Sequence, residues 1–236
     1  MTMETKNTKY SGRQLKAAIR EALIKEDYET GLVFVSQFPG ARSVNPIISF
    51  FCSADKNLRW RSVSALGMIV NAMAETSGIE KARVVMRRLM WTLNEESGGV
   101  GWGAPEAMGE VMALNTRLAD EYHRILCSYI DDHGNFLDYE PLRQGVLWGI
   151  YRLAQVRPEL VKDSLVNTRS YLNSDNAVSR GLAVMISDIT GDHKALADIN
   201  GLLNDGKEIE IYDAGCFNKT SIKDLASAAV EKPAVK

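Results

Sequence analysis

The residue types best able to do chemistry in this chain gather in one stretch, Asn94-Glu-Glu-Ser-Gly-Gly-Val-Gly-Trp-Gly103, followed by Ala104-Pro105-Glu106. Four glycines there surround a single large aromatic. Glycines such as Gly99 and Gly101 let a backbone approach a ligand closely. Trp102 offers a wide face for stacking, and the free N–H groups that open the following helix can hold an anion. Glu95, Glu96 and Glu106 make the stretch acidic, which opposes a phosphate. It is not a P-loop, because a helix precedes it and no Gly-Lys-Ser/Thr follows. Nor is it a dinucleotide fingerprint, since no strand leads in. The competing reading is a plain linker, with Trp102 plugging a gap between helices as Trp60 would.

Other chemistries find less support. Glu106 and Glu110 share a helix face at i, i+4, and with Glu95, Glu96 or His123 could gather a divalent cation. Paired metal-ligating helices, however, show Glu-x-x-His or His-x-x-x-His, and neither occurs. Asp131-Asp-His-Gly-Asn-Phe-Leu-Asp-Tyr-Glu140 has the outline of a calcium loop but puts Phe136 where glycine is needed and Leu142 where glutamate is needed. His123, His133 and His193 have no matching nucleophile motif, and there is no Gly-x-Ser-x-Gly elbow. The expectation is no metal, no cofactor and no assignable catalytic residue.

The charge pattern is uneven. Residues 58–90 hold six Lys/Arg against two Asp/Glu, residues 91–141 hold ten Asp/Glu against two Arg, and residues 142–182 return to a basic excess of three. Such a pattern steers a cationic partner toward the middle of the chain, or marks a solvated acidic face. The formal net charge of −2 shows no basic excess of the kind that holds nucleic acid. Cys52, Cys127 and Cys216 are odd in number and widely spaced, so free, buried thiols in a reducing compartment are expected. The polar N-terminus lacks a signal core and no apolar run is long enough to span a bilayer, which leads to the expectation of a cytoplasmic protein.

The elements that must position these residues are helical. Apolar residues recur at i, i+3, i+4 and i+7 in Leu15–Leu23, Val85–Leu93, Leu118–Ile130 and Leu160–Leu172. The spacing predicts helices over 12–25, 28–38, 45–53, 57–76, 79–93, 104–115, 117–131, 139–155, 158–172, 175–190 and 192–204. Pro39-Gly40 reads as a stop and Asn45-Pro46 as a helix start. Paired in order, they make five hairpins and a single helix, too thin to bury their apolar faces alone and therefore stacked. A register repeats: Trp60, Trp102 and Leu142 each lie seven residues before a glycine (Gly67, Gly109, Gly149), and Arg61, Arg143 and Arg180 open their helices alike. After them, Glu208-Ile-Glu-Ile-Tyr212, a turn at Asp213-Ala-Gly215 and Cys216–Lys219 read as a hairpin. Ser221-Ile-Lys-Asp224 then caps a short helix.

Asp55-Lys-Asn-Leu-Arg59-Trp-Arg61-Ser-Val-Ser-Ala65-Leu-Gly67-Met-Ile69 resembles the second-helix segment of the HEAT-repeat superfamily, and Asp175-Asn-Ala-Val178-Ser-Arg180-Gly-Leu-Ala183 is a shorter match. The resemblance covers about residues 28–190. The chain also resembles small bacterial proteins with phycobilisome-lyase-type HEAT repeats. It implies an all-α fold, a right-handed α-α superhelix (HEAT-like solenoid) with a small C-terminal β-hairpin and helix cap. The array is expected to form one domain over 1–236, with repeats over about 12–204 and the cap over 205–236. The second helices would line a concave surface, so Trp60, Arg61, Arg143 and Trp148 join Glu95, Glu96, Gly99, Gly101, Trp102 and Glu106 as candidate binding residues. The alternative for the arginines is bonding to acids and carbonyls of neighbouring repeats. The expected function is a binding scaffold for a protein or peptide, with no membrane and no nucleic acid; the alternative is a small-ligand-binding or lyase- or glycosylase-like enzyme on the same scaffold.

Overall fold

The computed structural model describes residues 10–94 and 101–231. The chain divides into two compact units, Met1–Asn115 and Thr116–Lys236.

The first unit is built from α1 (Gly12–Ile24), α2 (Tyr28–Ser36), α3 (Gly40–Ile48), α4 (Lys56–Thr76), α5 (Ile79–Leu93) and α6 (Ala104–Leu114). Local signals start these helices. Ser11 and Gln14 form a reciprocal capping box on α1, Asp27 accepts from the Thr30 N–H, and Asp55 accepts from the Leu58 N–H. The unit's centre is α4, which packs against α1, α2, α3, α5 and α6. It is therefore buried on nearly every side from Leu58 to Met73, with small residues (Ser62, Ser64, Ala65, Gly67) where neighbours come closest. A Cβ on Gly67 would lie 2.5 Å from Glu110 Cγ, so only glycine admits α6 at that distance.

Two expectations for this unit need correction. Pro39-Gly40 does follow the end of α2 at Ser36, but the next helix starts there at once rather than at Asn45: Pro39 caps α3 and Gly40 opens it. The Pro39 carbonyl accepts the Arg42 and Ser43 N–H groups, and Pro46 sits inside α3. At the seventh position of the helix proline gives up the bond to the carbonyl four residues back, a cost set against the burial of Val44 and Ile47. Cys52 is exposed rather than buried, as is Cys216 in the second unit.

The second unit contains α7 (Thr116–Ser128), α8 (Glu140–Ala154), α9 (Leu165–Ser170), α10 (Ala177–Thr190) and α11 (Leu196–Gly201), then β1 (Glu208–Asp213), β2 (Cys216–Ser221) and α12 (Ile222–Glu231). The helix expected over 158–172 is instead a 3-10 helix (Pro158–Ser164), one short α-helix and a second 3-10 turn (Tyr171–Asn173). Hydroxyls there compete for the backbone: Ser164, Thr168 and Ser170 each donate to a carbonyl three or four residues back. The hairpin pairs Glu208 with Ser221 through Asp213 with Cys216. Ala214 and Gly215 both have positive φ, the conformation of a two-residue type I′ turn. Hairpin and α12 seat on α10 at Gly181, where a Cβ would lie 2.3 Å from the Ile209 side chain. Leu172, Ala183, Val184, Ile199 and Ala226 form the core beneath.

Candidate binding surface

Within the first unit, the Gly-Trp stretch enters α6 through a tight turn. Gly103 occupies the N-cap position at φ 73°, which a side chain rarely adopts, and a Cβ there would meet the Phe51 ring at 2.7 Å. Gly101 is also needed for packing: a Cβ would lie 2.7 Å from the Thr92 carbonyl oxygen. At both glycines the chain itself packs where a side chain would stand. Trp102 and Trp60 are both half-buried. Glu95, Glu96 and Gly99 lie outside the described residues.

Glu106 stands on the first turn of α6, which is otherwise among the most apolar helices of the unit. Its Oε2 is buried and has no hydrogen-bond partner among the described residues. Burial pushes its carboxyl up to about 7; its own backbone N–H and the charge of Arg59 on α4 pull the other way without prevailing. Glu110, one turn on, is buried with its stem against Gly67. The structure therefore places Glu106 facing Arg59 across the α4–α6 contact, and gives Glu110 a packing position.

The arginines are tied to backbone. Arg61 donates to the Leu23 and Lys25 carbonyls at the end of α1 and lies over the Tyr28 ring at 5.4 Å. In the second unit, Arg143 donates to the Leu137 and Asp138 carbonyls at 2.6 and 2.7 Å and covers the Phe136 ring. Arg180 repeats this on the Ser174 and Asp175 carbonyls at 2.6 and 3.1 Å, and adds the Asp205 carboxylate at 2.6 Å. Trp148 is a core residue: it is 4% exposed, and its indole N–H donates to the Tyr212 carbonyl at 3.0 Å. That leaves it no open face. The second unit has its own buried acid oxygen with no hydrogen-bond partner among the described residues, Glu140 Oε1, on the first turn of α8.

Sequence reasoning missed the outer face of α5. Trp91 is 70% exposed and Val84 54% exposed. The signal was present: Ala82, Val85, Met86, Leu89 and Leu93 make the buried stripe, and Trp91 and Val84 fall outside it. Among the described residues no group of three or more His, Cys, Asp or Glu is placed to hold a metal ion, and no helix is long and apolar enough to cross a membrane.

No family model matches the chain. It is 27% identical over 191 residues to an uncharacterized protein of Archaeoglobus fulgidus, a match spanning 78% of this chain and 94% of that one. Among solved structures it is similar to a designed armadillo repeat protein in complex with the peptide (KR)4, with 16% identity, 92% and 98% of the two chains covered and a TM-score of 0.51. Computationally designed armadillo repeat proteins for modular peptide recognition align at 15% identity over 92% and 98%, with a TM-score of 0.50. An engineered protein aligns at 13% identity over 92% and 95%, with a TM-score of 0.51. These likenesses, joined to the helical hairpins and the C-terminal hairpin and helix, identify the fold as the HEAT/armadillo-like helical-repeat solenoid.

Proposed function

We propose that the chain is a peptide-binding scaffold and that its first unit takes a basic segment at Glu106, with Trp102 and Trp60 as flanking aromatic surface. The observation that carries this reading is the buried Glu106 Oε2, which has no donor among the described residues. A buried polar atom left unpaired costs about 1–3 kcal/mol, more when charged, and a lysine or arginine side chain supplies both the missing donor and the countercharge. An arginine also stacks on indole. The similar designed protein whose complex contains the peptide (KR)4 supports the reading at the level of fold.

The test is anisotropy of a labelled (KR)4 peptide with wild type, Trp102→Ala and Glu106→Gln. Each variant should weaken binding by about tenfold, the loss of one good contact, while the melting temperature shows that both remain folded. Equal affinity in all three proteins would reject the site. Because the cation needs an ionised carboxylate, affinity should also fall as pH drops through about 7 in wild type and stay flat in Glu106→Gln.

A further inference from the structure

The outer face of α5 presents apolar and basic groups together. At 3.6 residues per turn, Val84, Arg87, Arg88 and Trp91 project to one side. Lys81, Arg83, Arg87 and Arg88 outnumber Glu80, the only acid on the helix. Glu80 pairs with Arg83 and Arg87 at 3.3 and 2.7 Å, and Asn45 Oδ1 accepts from Arg88. Two cavities flank this ridge. One, of about 340 Å³, is lined by Arg87, Met90, Trp91 and Asn94. The other, of about 250 Å³, lies between α5 and α3 and is lined by Val44, Asn45, Met73, Lys81, Val84 and Arg88 among others.

From this face we infer a second docking surface, one that takes an acidic peptide segment carrying apolar side chains: these enter the two cavities beside Trp91 and Val84 while its carboxylates meet Arg87, Arg88 and Lys81. The apolar part of the patch argues against a polyanion. Phosphates would satisfy the cations but leave Trp91 and Val84 in water, whereas a peptide with leucine or phenylalanine covers both. The cations are also few, and the chain's formal net charge of −2 gives a nucleic acid no wider attraction. Tryptophan and arginine are both enriched among the residues that carry most of the energy at protein interfaces.

The probe is a labelled peptide of Glu, Leu and Phe at helical spacing, beside a counterpart with Lys in place of Glu and a third with Ser in place of Leu and Phe. Wild type should bind the first through the α5 face and the third not at all; any binding of the Lys peptide belongs to the Glu106 surface and should be unchanged in Trp91→Ala. Trp91→Ala, and separately Arg87→Glu with Arg88→Glu, should each weaken it by about tenfold or more, as expected for a hot-spot residue. Both variants change exposed side chains, so their melting curves should match wild type. Unchanged affinity in both variants would overturn the assignment, as would equal binding of the Ser peptide. Trp91-dependent binding of duplex DNA or anionic vesicles without binding of the acidic peptide would overturn it in favour of a phosphate surface. Trp91-dependent self-association in sedimentation, again without peptide binding, would overturn it in favour of a second copy.

Discussion

At the scale of single residues, Glu106 combines two features that the sequence separates. Its position beside glycines and Trp102 was legible, but that its Oε2 would be buried with no donor among the described residues was not, because burial depends on where α4 lies. The buried carboxyl makes a prediction independent of any ligand. In the unfolded chain it ionises at its ordinary value of 4.5, and in the folded protein near 7. The folded state therefore binds more protons between these values. Its contribution to stability is present at the acidic end and is lost as pH rises through about 7. The difference corresponds to about 3 kcal/mol. Glutamine resembles the protonated acid, so Glu106→Gln should raise the melting temperature by several degrees at pH 8 and by much less at pH 5. The same increment at both pH values would mean that the carboxyl is not held neutral by burial.

At the scale of elements, the repeated arginines show what a sequence repeat can encode. Arg143 and Arg180 each donate to the carbonyls six and five residues earlier, pinning the loop that leads into their helix. The parallel openings of those helices were legible as a repeat, and the shared bonding pattern is its physical content. Arg61 follows the sequence pattern but reaches the end of α1 instead. Burial works to raise the Asp205 carboxyl, and the Lys207 N–H and Arg180 hydrogen bonds outweigh it and hold it below its usual value. Arg180→Ala removes this partner and uncaps two carbonyls. It should cost about 2–4 kcal/mol in chemical denaturation, since it breaks charge-assisted bonds that are largely screened from water. A loss below about half a kcal/mol would place Arg180 among ordinary surface ion pairs. Where the reading of elements failed, the cause was local. Pro46 looked like a start because Asn45 precedes it, yet the burial of Val44 and Ile47 outweighed its missing N–H. The apolar stripe of residues 158–172 hid three hydroxyls that bond the backbone.

At the scale of the molecule, helical periodicity and the Trp-to-Gly register were enough to reach the repeat fold, because both follow from the need of thin hairpins to share apolar faces. Surface function follows no such rule, which is why the α5 face went unread: periodicity puts Trp91 and Val84 outside the buried stripe but does not say what an outward residue meets. Charge adds a constraint at this scale. Met1–Asn115 carries 14 Lys and Arg against 12 Asp and Glu, whereas Thr116–Lys236 carries 14 against 18. The first unit, nearly balanced, thus bears both an acid whose Oε2 has no donor among the described residues and a basic, apolar ridge, and two surfaces of opposite sign should answer to different peptides. Trp91→Ala should weaken the acidic peptide and leave (KR)4 within about twofold, Trp102→Ala should do the reverse, and the double variant should show the sum of the two losses for each peptide, as separate sites do. Raising the salt should weaken both. If Trp91→Ala costs (KR)4 as much as it costs the acidic peptide, the two surfaces are one, and the unpaired Glu106 oxygen and the α5 ridge must be parts of a single interface.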